Sequence, residues 1–210
     1  MQTIKINPNK ITQEEIDLIV DYLKRGQVIA YPTDTVYGLG CDAGNAEAIK
    51  KINKIKEKKT NKPLLVLMSD FKMLQKYCFF NQEQEKYLRE IWTRPHPNLS
   101  LVRRGALNPV TVILKRKPIL PAELTGVQNS LAVRLPDNDF LIKIISEAGF
   151  PIVSTSLNKK GEKPFTNVEN LEKYFKYLPD LVINTGECKR IKPSRLVDIR
   201  DIDNIKILRK

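Results

Sequence analysis

Two spacings of apolar residues run along the chain. Short runs at 3–6, 28–32, 64–68, 110–115, 131–135, 152–155, 181–184, 196–199 and 205–208 are β-branched or Leu-rich and end at turn residues, which predicts strands. Elsewhere the spacing lengthens to that of a helix. Thr12 followed by Glu15 has the form of a capping box, with Ile16, Ile19, Val20 and Leu23 forming one apolar face behind it. Gly26 ends that helix. Further helices are predicted at about 45–56, 82–91, 140–147 and 168–175. Strands and helices mix without strict alternation, so the expected class is α+β, or mixed α/β, with helices packed on a sheet. No repeat, low-complexity tract or Gly/Ser linker divides the 210 residues, which predicts one domain over 1–210.

Composition removes several classes. The longest apolar runs, 64–68 and 110–114, are far too short to cross a bilayer, so no membrane span is expected. The first residues lack the apolar centre of a secretory signal. Cys41, Cys78 and Cys188 lie far apart beside a single histidine, His96, so a structural zinc site is not expected. Buried free thiols in a reducing cytoplasm fit that pattern. A net charge of +12 and a pI near 9.6 favour nucleotide phosphates, RNA or an acidic protein as partners. A solvated Lys-rich surface accounts for the same excess. The stretch 93–107, with Arg94, Pro95, Pro97, Arg103 and Arg104, reads as a basic loop: an RNA or phosphate contact, or a solvated connector.

Three segments carry candidate chemistry. Tyr31-Pro-Thr-Asp-Thr-Val-Tyr-Gly-Leu-Gly40 follows a strand and presents hydroxyls and one carboxylate where open sheets bind ligands. Its glycines, 38 and 40, permit close backbone approach or positive φ. Lys56, Lys58, Lys59 and Lys62 crowd a helix end, where they can neutralise a triphosphate or complement the helix dipole. Ser154-Thr-Ser-Leu-Asn158 follows another strand with three hydroxyls and an amide. These suit an amino acid or a nucleotide, or they cap the turn.

In this order the segments resemble the YrdC-like family, which includes threonylcarbamoyl-AMP synthases. The family's first strand-loop stands intact at 31–40. Its Lys-x-Arg and Lys/Asn-Pro-Leu are matched by Lys56, Lys58 and Lys62-Pro-Leu64, and its Ser-x-Asn by Ser156 and Asn158. Ala132-Val-Arg-Leu-Pro136, Pro193-Ser194 before Leu-Val-Asp198, and Ile-Leu-Arg209 also resemble family segments in family order. The resemblance implies an open, twisted, mainly mixed sheet with a concave, positively charged site and no further C-terminal domain. It implies that Thr35, Arg134, Ser154 and Ser194 hold threonine. Arg134 would take the carboxylate, leaving the three hydroxyls to the ammonium and side-chain hydroxyl. It implies that Lys56, Lys58, Lys62, Ser130, Ser156, Asn158 and Arg209 hold ATP, with Lys56 and Lys58 in the catalytic role and Mg2+ accompanying the triphosphate. Threonine, bicarbonate and ATP would be the substrates, and a tRNA-modifying transferase complex would receive the product.

The chain departs from the pattern at several positions. Lys58 replaces the usual Arg, Leu67 stands where some relatives have a histidine, and Asn108 replaces a glycine before Pro-Val-Thr111. Ser154-Thr-Ser-Leu157 resembles the YciO-like branch, which tends to lack the lysine cluster retained here. Two alternatives to the synthase follow. One is a YciO-like ATP-binding protein with an altered substrate. The other is a module binding tRNA or double-stranded RNA through a basic concave face.

Overall fold

The capping box at Thr12 is present: its hydroxyl accepts from Glu15 N at 3.2 Å while Glu15 Oε2 accepts from Thr12 N at 2.8 Å. It opens α1 (Gln13–Lys24), whose Ile16, Ile19, Val20 and Leu23 are buried. A computed structural model describes residues 1–33, 36–58, 63–92, 109–188 and 194–209. The other described helices are α2 (Ala46–Ile55), α3 (Phe71–Tyr77), α4 (Gln82–Trp92), α5 (Ala122–Thr125) and α6 (Asp139–Ala148).

The strands are β1 (Gln2–Lys5), β2 (Ile29–Tyr31), β3 (Gly38–Gly40), β4 (Leu65–Leu67), β5 (Cys78–Phe79), β6 (Val110–Arg116), β7 (Ser130–Arg134), β8 (Ile152–Ser156), β9 (Leu181–Asn184), β10 (Arg195–Asp198) and β11 (Lys206–Arg209). They form one mixed sheet in the order β1-β9-β2-β3-β8-β4-β7-β6-β10-β11, with β5 paired to β6. Every strand predicted from sequence is present. The mixed α/β class with helices on an open sheet is therefore correct.

The differences have local causes. β3 is Gly-Leu-Gly and β5 has two residues, so neither carries a strand pattern. A helix was expected at 168–175. There Val168, Leu171 and Phe175 are buried at helical spacing, yet the backbone makes a single 3-10 turn, Leu171–Lys173. Asn170, at φ 56°, enters that turn from the left-handed region, so no longer helix can run through it. The 93–107 loop lies outside the described residues.

Alternation divides the core between the two faces of the sheet. On one face α2, α3, α4 and α5 pack through Ile49, Ile52, Leu74, Leu88 and Leu124 onto Val66, Val112, Val133 and Val153. On the other, α1 and α6 pack through Ile16, Ile19, Phe140 and Ile144 onto Ile29, Tyr31, Leu67 and Ile152. Gly40 is needed where these layers meet. A Cβ there would lie 2.6 Å from Tyr31 Cε1 and 2.7 Å from the Val153 carbonyl oxygen. Close approach, not positive φ, is the reason for this glycine. Gly40→Ala is expected to cost about 1–3 kcal/mol in a denaturant melt, the range for overpacking a filled core.

Candidate functional site

Leu131 and Val133 point into the four-helix side of the sheet, so Ser130, Ala132 and Arg134 face the α1/α6 side. Val153 likewise sets Ile152, Ser154 and Ser156 on the α1/α6 side. Pairing then orders these residues in rows. Leu67 lies between Ile152 and Arg134, and Leu65 between Ser154 and Ala132. Two residues further along β8 and β7, on the same face, stand Ser156 and Ser130. Successive rows are about 6.5 Å apart, so Arg134 and Ser130 stand roughly 13 Å apart on one face, with Ser154 in the row between.

The Arg134 row continues across the sheet. Val112 pairs with Val133, so Thr111 falls opposite Arg134, and Leu196 pairs with both Thr111 and Arg209. Ser194, two residues before Leu196, shares this face. Its hydroxyl is 2.8 Å from Thr111 Oγ1 and accepts from Arg209 Nη2 at 3.1 Å, while its carbonyl accepts from Arg209 Nε at 2.8 Å. Arg134, Ser194 and Thr111 are all buried. Burial, and then the nearby charge of Arg134, pull the Arg209 guanidinium below its usual pKa. Two guanidiniums at close quarters favour an anion between or beside them. Arg209, expected on the nucleotide, is thus tied to the residues expected on threonine.

The other end of the site is organised around Lys56. This residue caps the C-terminus of α2 and is 7% exposed, so it is not a solvated helix-end cation. Its ammonium donates to Asn158 O at 2.9 Å, to Asn158 Oδ1 at 3.0 Å and to the Ser156 carbonyl. Burial, followed by the charge of Lys58, lowers its pKa to about 8. Asn158 is fully engaged as well. Its Oδ1 also accepts from Ser156 Oγ at 2.5 Å, and its Nδ2 donates to the carbonyls of Lys159 and Glu162, both at 2.8 Å. The turn-capping alternative for Ser156 and Asn158 is therefore what the geometry contains: Lys56 and Asn158 lock the turn after β8. Lys58 is half-buried nearby, and Ser130 is buried with its hydroxyl 3.3 Å from Gln128 Oε1. Thr35 and Lys62 lie outside the described residues.

Two residues of this region escaped the sequence reading. Thr111 is a fully buried threonine among the apolar residues of β6, a signal that alternation alone could have flagged. Tyr37 is buried, and its hydroxyl donates to Gly186 O at 2.7 Å and accepts from Thr185 N at 3.0 Å, fastening the 31–40 segment to the chain leaving β9. Leu67 lies in the α1/α6 core beside Arg134, so it supplies an apolar neighbour where a histidine would supply a polar one.

Other chemistries lack support among the described residues. Cys41, Cys78 and Cys188 are free thiols; burial raises all three, Cys78 to about 12, so none is a ready thiolate. No group of three or more His, Cys, Asp or Glu side chains that could hold a metal ion comes together among the described residues. No described helix is long and apolar enough to cross a membrane.

Known proteins match this architecture. The Sua5/YciO/YrdC family model, described as "Telomere recombination", matches residues 21–210. A threonylcarbamoyl-AMP synthase of Vibrio vulnificus is 31% identical over 183 residues, covering 87% of this chain and 92% of its own. The double variant H234A/Y235A of P. abyssi Sua5 superposes with a TM-score of 0.81 at 26% identity, over 99% of this chain and 60% of its own. The same P. abyssi protein complexed with L-threonine superposes at 0.76 and 24% identity, over 94% and 53%. E. coli YciO superposes at 0.80 and 25% identity, over 100% of this chain and 95% of its own. The chain belongs to the Sua5/YciO/YrdC family.

Proposed function

We propose that the protein is a threonylcarbamoyl-AMP synthase, joining threonine, bicarbonate or CO2, and ATP into L-threonylcarbamoyladenylate with release of pyrophosphate. The observation that carries this reading is the ordered face. A buried guanidinium, Arg134, stands at one end with Ser194 and Arg209, and Ser130 and the Lys56-locked turn stand roughly 13 Å away at the other. That length accommodates an amino acid and a nucleotide end to end, with Ser154 between them.

In this proposal Arg134 pairs the threonine carboxylate, and the half-buried Leu65 and Ala132 give an apolar floor for its methyl group. Thr35 and Ser154 serve the ammonium and hydroxyl. The threonine nitrogen adds to CO2 and loses a proton, giving a carbamate. A carbamate oxygen then bonds to the α-phosphorus as the bond to the β-phosphate oxygen breaks, and pyrophosphate leaves. Lys58 and Lys62 neutralise the charge that moves onto pyrophosphate, while Ser130 orients the nucleotide and Arg209 stays with Ser194 at the carboxylate end. Lys56, Ser156 and Asn158 act by holding the wall of this end in place. Such a displacement needs alignment and charge neutralisation more than a protein nucleophile. The adenylate then passes to a tRNA-modifying transferase.

Pyrophosphate release tests the reading, with threonine, bicarbonate and ATP each omitted in turn. Each omission is expected to abolish release. Serine is expected to support it more weakly than threonine, and valine hardly at all, because a site that pairs a substrate hydroxyl leaves polar groups unpaired with valine. Equal turnover with threonine and valine would contradict the assignment. A YciO-like reading, favoured by the match along E. coli YciO and by Leu67, instead expects ATP binding without threonine-dependent release.

A further inference from the structure

A hydroxyl has one proton to give and two lone pairs to receive with. Thr111 is fully buried, and among the described residues its Oγ1 has one hydrogen-bond partner, Ser194 Oγ at 2.8 Å. Either hydroxyl can donate to the other, but Thr111 is fully enclosed with no second described acceptor, whereas Ser194 can turn its proton to a ligand on the Arg134 face. The arrangement that leaves neither O–H unpaired with ligand bound has Thr111 donating to Ser194 Oγ. Ser194 Oγ also receives a hydrogen bond from Arg209 Nη2. Both of its lone pairs are then filled, and its own proton must go elsewhere. Ser194 lies on the sheet face that carries Arg134, because Leu196 pairs with Thr111 and the register sets Thr111 opposite Arg134.

We infer that Thr111 is a positioning residue that makes Ser194 an obligatory hydrogen-bond donor, directed at the carboxylate of the amino-acid substrate beside Arg134. Ser194 then does not serve the substrate ammonium, which is itself a donor and would meet a hydroxyl with no free lone pair. The inference rests on the proposed threonine site and assigns its polarity: carboxylate toward Thr111–Ser194–Arg209, ammonium toward Ser154.

The test compares Thr111→Ser with Thr111→Ala, which lack the same methyl group and differ by the hydroxyl alone. L-Threonine and L-threoninamide are titrated into each folded protein by calorimetry, and KM and kcat for threonine are measured at saturating ATP. Thr111→Ala is expected to bind threonine about tenfold more weakly than Thr111→Ser, the scale of one hydrogen bond to a charged group. Threonine KM rises, while kcat and ATP affinity hold. Threoninamide, without the carboxylate, is expected to bind both variants alike. In a Ser194→Ala background the Ser/Ala difference at 111 is expected to vanish, since the donor it orients is gone. Equal threonine binding by the two variants overturns the inference, as does a difference that persists in the Ser194→Ala background, which would mark a merely structural role. Wild-type protein that binds no threonine sinks the proposed site itself, a result distinct from either.

Discussion

Arg134→Ala is expected to lower kcat/KM for threonine by about a hundred- to a thousand-fold, with ATP affinity nearly unchanged. Arg134 is 4% exposed at the end of β7, where Leu67 and Thr111 are its neighbours across the sheet. A carboxylate brought there leaves water almost completely, and removing the guanidinium strands it without a counter-charge. Truncating one member of a buried, hydrogen-bonded charge pair costs about 2–5 kcal/mol, and the expected loss falls inside that range. Arg134→Lys keeps the charge but not the planar fork, and is expected to lose at least about tenfold. Kinetics in threonine at saturating ATP, alongside ATP binding by calorimetry, check this. Parallel loss of both substrates would mean that Arg134 supports the fold rather than the amino acid.

The second large effect concerns stability. Lys56→Ala is expected to lower the melting temperature of the ligand-free protein by about 5–15 °C, as well as its activity. The ammonium serves Ser156 O, Asn158 O and Asn158 Oδ1 together, and of these only Asn158 Oδ1 has a second described donor, Ser156 Oγ. Leaving buried carbonyls unsatisfied costs about 1–3 kcal/mol each when water cannot replace the donor, partly recovered because burying the charge was itself costly. A net loss of about 2–4 kcal/mol corresponds to that shift for a chain of this size. Lys56→Met, which keeps the stem in the core, is expected to melt low as well. An unchanged melt with lost activity would return Lys56 to a direct role on the triphosphate.

What the sequence disclosed, and what it hid, follows from the range of the forces involved. α1 was legible to the residue because Thr12, Glu15 and the Ile16–Leu23 face are local signals pointing the same way. α3 was missed although Asp70 accepts from Met73 N at 2.7 Å, because seven residues give one apolar face too short to count. β3 was missed because glycine is read as a turn until Tyr31 and Val153 are seen pressed against it. Within the site, the family resemblance named Arg134, Ser154 and Ser194, and strand alternation sets them on one face. The burial of Lys56 was not legible for a physical reason: a run of lysines is ordinarily solvated, and only long-range pairing reveals the carbonyl cage that Ser156 and Asn158 build a hundred residues away. Thr111 stood at the end of the Pro-Val-Thr segment with no role assigned to it, and its meaning appears only through Ser194 and Arg209.

The most direct measurement uses 13C-bicarbonate. Protein, ATP, threonine and labelled bicarbonate are mixed and quenched quickly, and the nucleotide fraction is weighed by mass spectrometry. A threonine-containing adenylate carrying one 13C atom, formed in step with pyrophosphate, is the predicted result, with its loss in Arg134→Ala. AMP and pyrophosphate without a labelled adduct, or RNA binding of steep salt dependence with no ATP turnover, would contradict it.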